Sequence, residues 1–210
     1  NPYTSTALMF PFDDWTRFMN WTHRTYPYGP VFLPLSIPVY LLGLNKFILT
    51  LFWFKALMRA AYAGSVYVIY KLVGKRGAVF FALNPLIIYE AVVAGHLDIV
   101  MLFFALAAVY KKSYLLWLFS AGIKYVTVIL FPRFSIKWLI VLAYAGAFLQ
   151  FGSRELLPHY FIIPLGFSAL LPENKYVVWV GIVLSMILLV LRYIPFISGG
   201  VWVPLRFIGV

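Results

Sequence analysis

The chain has 210 residues, of which 64% are hydrophobic and 11% are charged, and its mean hydropathy is +0.93. This composition excludes an ordinary soluble domain and predicts an all-α, polytopic helical membrane protein. A net charge of +11, spread between apolar runs, is typical of cytoplasmic loops that face anionic lipid and argues against nucleic-acid binding. The sequence contains no cysteine, which excludes disulfides and cysteine-based metal sites.

The chain begins with its longest polar region, residues 1–28, which we expect to form an extracytoplasmic loop. Asp13 and Asp14 precede Trp15 as an N-cap and first turn would, so they predict a short amphipathic helix at the membrane interface. An ordinary juxtamembrane loop is the alternative. Because the chain starts at Asn1 and stops within an apolar stretch, we expect a fragment. Residues 29–210 would then be a transmembrane bundle incomplete at both ends.

Eight apolar runs predict the membrane segments. They cover residues 31–44, 47–70, 77–95, 97–110, 114–131, 136–151, 160–171 and 176–197. Several are shorter than the roughly 20 residues that cross a bilayer as a helix, so we expect short, broken and re-entrant segments. The first run is expected to be re-entrant, because prolines break helices and four lie in or just before it, at Pro27, Pro30, Pro34 and Pro38.

Basic clusters predict the orientation of the bundle. Residues 71–77 and 110–113 hold the densest groups of lysine and arginine near segment ends, so both are expected on the cytoplasmic side. The residues between them would form two short helices that meet near Gly95. That turn would therefore lie on the extracytoplasmic side.

Three ionisable residues within the apolar runs, two acids and a histidine, are candidate site residues. Glu90, His96 and Asp98 lie inside the stretch 84–110, where ionisable groups are costly and usually face a cavity, a partner or a functional site. Two structural alternatives stay open. Asp98 could simply cap a helix, and Glu90 could pair with Lys55 or Arg59.

The basic residues at membrane depth form the second candidate group. Lys124 lies near the middle of the run 114–131, while Lys55 and Arg59 are four residues apart and share one helix face. Side chains that reach out to the interface are the structural alternative. Since acids are few, a phospholipid-like ligand would supply the anions that these cations need.

Three residues at the entrance of a later run are candidates for ligand contact: Arg154, His159 and Tyr160. The alternatives are a solvated pair of Arg154 with Glu155 and a purely structural His159. No phosphate-cradling glycine loop, HExxH motif or nucleophile elbow is present in the sequence. Histidines and acids are too sparse to predict a redox-metal or haem site, so we expect neither a metal nor a cofactor.

Five stretches occur together in a characteristic order, and they are "NPY", "YPYGPVFL", "FALNPLIIYEAVVAGHLDIVMLFFALAAVY", "AGIKYVTVILFP" and "PHYFIIPLGFSALL". Their order and spacing resemble integral-membrane C-type glycosyltransferases. The resemblance covers roughly residues 1–171 and is greatest to bacterial polyprenyl-phosphate-dependent mannosyltransferases and the GPI-mannosyltransferase-like branch.

The resemblance implies a multi-pass enzyme of the plasma (inner) membrane with its active face outside the cytoplasm. It implies transfer of a sugar, with mannose favoured, from a polyprenyl-phosphate carrier to a glycan or lipid acceptor, with inversion at the anomeric centre. The partners are thus the bilayer, the lipid-linked donor and the acceptor, with no nucleic acid. The lipid-linked sugar is a substrate, and no visible site requires a divalent metal.

The resemblance also implies roles for the candidate residues. Asp13 and Asp14 are the loop acids available as general base, although the principal catalytic aspartate of such enzymes commonly lies upstream of the "NPY" element. The other candidates divide into two groups: Glu90, His96 and Asp98 around the sugar, and Lys124, Arg154 and His159 around the phosphate, with Tyr160 beside them and Lys55 and Arg59 behind.

Two other functions are compatible with the residues alone. A transporter or lipid flippase would also place acids and bases at membrane depth. A non-catalytic subunit that scaffolds other membrane enzymes would tolerate loss of Glu90, His96 and Asp98.

Overall fold

The computed structural model describes residues 1, 3–11, 22–153 and 157–197, and for 150–153 and 192–197 it describes the backbone only. Within these residues the chain is helical and has no strand, which confirms the all-α prediction. The α-helices are α1 Phe32–Leu42, α2 Phe47–Val73, α3 Lys75–Ala82, α4 Pro85–Ile87, α5 Asp98–Lys111, α6 Tyr114–Ile123, α7 Ile136–Ser153, α8 Ile162–Ser168 and α9 Lys175–Ile197. A π-helical turn spans Ile88–Ala94, and 3₁₀ turns span Ala7–Met9, Tyr125–Ile129 and Pro158–Phe161.

Among the described helices, α2 is long and apolar enough to cross a membrane. The pair formed by α3 and Pro85–Ala94 passes the same test as one span, although it is bent by 54°. Shorter apolar helices lie in α1, α6, α7 and α9. Large apolar side chains are exposed along α2 and α9, among them Phe52, Trp53, Trp179 and Met186. Extended apolar surface of this kind indicates contact with lipid or protein.

The bend between α3 and α4 lies where the sequence reads Asn84-Pro85. The side-chain oxygen of Asn84 accepts hydrogen bonds from the backbone N–H groups of Leu86 and Ile87, at 3.1 and 3.2 Å. Its amide donates to Ser185 Oγ on α9 at 2.7 Å. This motif therefore begins a helix and joins it to a distant one, which is a structural use of a buried polar residue.

Helix α5 is the central helix and runs parallel to α2. Gly95, just before α5, lies beside Met58 of α2, and Phe103 of α5 contacts Gly64 further along α2. The two helices therefore finish toward the same end of the bundle. We call this the basic end, defined by Lys71, Lys75, Arg76, Lys111 and Lys112. The opposite ends of these elements carry the candidate site.

The prediction of one continuous segment over 114–131 is wrong. Helix α6 stops at Ile123, and Lys124 is extended, with φ −154° and ψ 122°. The next turn folds back, because the indole N–H of Trp117 donates to the Thr127 carbonyl at 3.1 Å. Ser120 Oγ also bonds Thr127 Oγ1 at 3.0 Å. The first bond gives the Thr127 carbonyl a partner outside a regular helix, so Lys124 marks a break rather than a helix centre.

Candidate functional site

The π-helical turn before α5 brings Glu90 and His96 together. The Glu90 carbonyl accepts hydrogen bonds from the N–H groups of Gly95 at 3.1 Å and His96 at 2.9 Å. Gly95 makes this closure in the left-handed conformation, with φ +80°, which glycine adopts without a Cβ penalty. As a result, Glu90 Oε2 lies 3.0 Å from His96 Nε2. The Glu90 side chain is fully buried and His96 is 29% exposed.

Lys55 holds the end of that turn. Its Nζ donates to the Val93 carbonyl at 3.0 Å, and its aliphatic stem lies beside Gly95. Lys55 thus donates to a backbone carbonyl, and His96 is the residue whose ring nitrogen lies 3.0 Å from the Glu90 carboxylate. Arg59 lies exposed one turn further along α2. Direct contact of either cation with a ligand stays a prediction.

His159 adds a second imidazole from a distant part of the chain. The 3₁₀ turn Pro158–Phe161 presents it so that its ring stacks on His96, with centroids 4.0 Å apart and planes inclined by 13°. The same ring meets Tyr160 edge to face at 4.7 Å. Glu90, His96 and His159 together offer one carboxylate oxygen and two ring nitrogens, all within 4.8 Å of one another.

Asp98 and Lys124 form a second, largely buried pair. Lys124 Nζ donates to Asp98 Oδ1 at 2.9 Å, and the two side chains are 18% and 4% exposed. The capping alternative for Asp98 is wrong, because Leu97 is the N-cap of α5 and makes no side-chain cap bond. Asp98 lies in the first helical turn, where a carboxylate is stabilised by the helix dipole. Its side chain is directed to Lys124 instead of to the backbone.

The two pairs belong to one cluster. Lys124 Nζ lies 4.6 Å from the ring centroid of Tyr160, which also contacts His159. The charge of Asp98 interacts with Lys124, His159 and His96. We define the polar cluster by its six residues, Glu90, His96, Asp98, Lys124, His159 and Tyr160. The structure thus brings together six of the residues that the sequence analysis singled out.

Tyr28 borders the polar cluster and was missed by the sequence analysis. Its loop is docked on the end of α6 by the Gly29 N–H to the Ile123 carbonyl, at 2.8 Å, and the Val31 N–H to the Gly122 carbonyl, at 3.0 Å. Burial raises the pKa of Tyr28 to about 12, and the charges of Asp98 and Tyr160 add to the effect. Tyr28 therefore keeps its phenolic proton at neutral pH. The signals for this contact were the motifs "YPYGP" and "AGIK", which meet here.

Three candidates fall outside the described residues: Asp13, Asp14 and Arg154. The predicted interfacial helix after Asp14 also lies outside them.

A cavity of about 720 Å³ lies at the basic end, lined in part by Val73, Lys137, Leu170 and Tyr176. It does not include any residue of the polar cluster. Exposed lysines at a wide opening are ordinary at a membrane surface. Buried ionisable groups that converge from separate elements are unusual, so the polar cluster is the stronger candidate for the catalytic site.

A family model described as the N-terminal domain of the alpha-(1->6)-mannopyranosyltransferases, MptA_B family, matches residues 1–145. The chain belongs to the MptA_B family. This is a family of C-type mannosyltransferases, so the resemblance drawn from the sequence is confirmed. No curated protein and no solved structure matches the chain. Within this MptA_B chain, four residues of the polar cluster lie in the matched region, whereas His159 and Tyr160 lie beyond it.

Proposed function

We propose that this membrane-associated mannosyltransferase takes mannose from a polyprenyl-phosphate carrier and transfers it, with inversion, to an extracytoplasmic glycan or lipid acceptor. The observation that carries the proposal is the buried Asp98–Lys124 pair, 2.9 Å apart and in contact with Tyr160, on the side of the bundle away from the basic end. A largely buried ammonium is suited to an anionic headgroup that arrives from the lipid phase.

Placement of the chain as a multi-pass protein of the plasma membrane is part of the proposal. It is supported by the exposed apolar side chains of α2 and α9 and by the concentration of lysine and arginine at one end. Basic loops favour the cytoplasmic side. The polar cluster and the loop of residues 1–28 would then face the outer leaflet.

In this proposal Lys124 stabilises the departing carrier phosphate. An ammonium has three N–H donors, so Lys124 can hold Asp98 with one and donate to phosphate oxygens with the others. Asp98 and the Tyr160 ring keep the ammonium in place, and fixed charge in a poorly hydrated site is worth more than in water. The phenolic O–H of Tyr28 supplies a further donor on the same side.

The acceptor hydroxyl is activated by a loop carboxylate, for which Asp14 and then Asp13 are the candidates in this chain. The hydroxyl oxygen attacks the anomeric carbon while the bond from that carbon to the phosphate oxygen breaks. The electron pair of that bond leaves with the carrier phosphate, and the hydroxyl proton passes to the carboxylate. Attack from the face opposite the leaving phosphate inverts the anomeric centre.

The test is mannose transfer by the full protein purified in lipid nanodiscs, with polyprenyl-phosphate mannose as donor and a lipid-glycan extract as acceptor. We expect Lys124→Met to lower kcat about 100-fold, the usual cost of removing a group that stabilises developing negative charge. Asp14→Asn should abolish transfer if it is the base. The matched variant Lys137→Met, at the basic end, should transfer normally. Transfer from nucleotide-linked mannose but not from the lipid donor would contradict the proposal.

A further inference from the structure

We propose that Glu90, His96 and His159 bind one divalent transition-metal ion of the zinc class. The juxtaposition that supports this is a fully buried carboxylate with two imidazoles from separate elements, all three ligand atoms lying within 4.8 Å of one another. Two of them, Glu90 Oε2 and His96 Nε2, are already 3.0 Å apart.

The ligand set selects the class of ion. Two histidines and one glutamate form a common three-ligand set for Zn²⁺ and for neighbouring transition ions. Mg²⁺ and Ca²⁺ prefer oxygen ligands throughout, so neither suits a site with two nitrogens. Three protein ligands leave a fourth tetrahedral position open to an oxygen of another molecule.

Binding requires a small rearrangement of the histidine pair. Ligand atoms in a tetrahedral zinc site lie about 3.4 Å apart. Glu90 Oε2 and His96 Nε2, at 3.0 Å, must therefore separate slightly, and the His159 nitrogen must approach them by at most about 1.4 Å. The stacked rings of His96 and His159 are nearly parallel, which directs their nitrogen lone pairs side by side and not to one point. His159 lies in a short 3₁₀ turn and is partly exposed, so its ring is the one that turns toward the ion.

A bound ion would compensate the negative charge of the polar cluster. This step rests on the proposed function. The cluster holds two carboxylates, Glu90 and Asp98, against the single ammonium of Lys124. With neutral imidazoles it is net negative, which opposes the attraction of Lys124 for a carrier phosphate. A divalent ion on Glu90, His96 and His159 reverses that sign, and its open position can accept a phosphate oxygen.

The direct test is metal binding by the purified full protein, independent of sugar transfer. Chelator-treated protein is titrated with Zn²⁺, followed by calorimetry, and with Co²⁺, followed by visible absorption of the bound ion. Glu90→Gln removes the charge at nearly constant volume, and His159→Phe retains an aromatic ring against His96 while it removes both nitrogens. We expect one ion per chain in the native protein and Zn²⁺ binding more than about 100-fold weaker in each variant.

The matched control is His23→Ala, which removes the one histidine of the chain outside the polar cluster and should bind Zn²⁺ as the native protein does. Native protein that binds no ion, or equal binding by all four proteins, would overturn the metal site. Mannose transfer measured on the same preparations separates the two proposals. Transfer without bound metal would support the enzyme function and refute the metal site. Metal binding without transfer would support the metal site and refute the enzyme function.

Discussion

Lys124 Nζ lies 2.9 Å from Asp98 Oδ1 although the two residues are 26 positions apart. The contact joins the end of α6 to the start of α5. The loop that carries Tyr28 is bonded to the same end of α6 by its backbone, so three parts of the chain meet at the polar cluster. Both the stability of this region and the proposed catalysis should therefore depend on the Asp98–Lys124 pair.

Replacing Lys124 by Met should destabilise the protein strongly. The change leaves the Asp98 carboxylate, 4% exposed, without its cation, and such a loss costs about 3–5 kcal/mol in the free energy of unfolding. Adding Asp98→Asn should recover much of that loss. Urea unfolding in detergent micelles measures the effect.

The exposed pair Arg76–Glu173 is the control for that experiment. Its side chains are 76% and 75% exposed and 2.8 Å apart, so Arg76→Met should cost less than about 1 kcal/mol. Equal losses for Lys124→Met and Arg76→Met would show that burial of the Asp98 pair has no energetic consequence.

Asn84→Ala should lower the free energy of unfolding by about 2 kcal/mol. The change removes the cap of α4 and the bond to Ser185 on α9. Ser185→Ala removes only the second of these and should cost roughly 1 kcal/mol. Thermal unfolding of both variants in one detergent measures the difference. A larger loss for Ser185→Ala than for Asn84→Ala would contradict the assigned cap.

Gly29→Ala should displace the loop that carries Tyr28. A Cβ on Gly29 would overlap the carbonyl oxygen of Gly122, a backbone atom that cannot turn aside. We expect a loss of about 1–3 kcal/mol in stability together with a raised KM for the lipid donor. Gly146→Ala is the control, because its Cβ would meet side-chain methyl groups at 3.0 Å or more and alanine favours the helix. Unchanged KM in Gly29→Ala would separate this loop from donor binding.

Lys55→Met should loosen the π-helical turn that carries Glu90. It removes the bond to the Val93 carbonyl, worth about 1–2 kcal/mol, and so lets the Glu90–His96 contact open. Hydrogen exchange across residues 88–96, read by mass spectrometry, should accelerate in this variant. Arg59→Met, one turn further on the same helix, should leave that exchange unchanged. Equal acceleration in both variants would refute a specific role for Lys55.

Much of the fold was predictable because apolar runs map onto helices. The runs 47–70, 97–110 and 176–197 correspond to α2, α5 and α9 within a few residues. The break at Lys124 was not predictable from the sequence, because nothing in the local periodicity of 114–131 ends the helix before Lys124. The break is set by tertiary contacts, namely the bonds to Thr127 and the ion pair with Asp98.

The membership of the polar cluster was predictable in part from charge alone, because ionisable residues in apolar runs are rare. Its geometry was not. The closure of Glu90 on His96 needs a π-helical turn that ends at left-handed Gly95, and the stacking of His159 on His96 joins segments more than sixty residues apart. Tyr28 was missed because tyrosines are common in this chain, and this one comes near Asp98 through the docking of Gly29 on Ile123 and of Val31 on Gly122.

The central claim is that the polar cluster, and not the basic end, receives the carrier phosphate. Equilibrium binding of a fluorescent short-chain polyprenyl phosphate to the full protein in nanodiscs tests it most directly, with Lys124→Met compared with Lys137→Met beside the 720 Å³ cavity. We predict that Kd rises about 10- to 100-fold in Lys124→Met, a loss of roughly 1.4–2.8 kcal/mol, and stays within twofold of native in Lys137→Met. The reverse pattern would place the phosphate at the basic end and contradict the account.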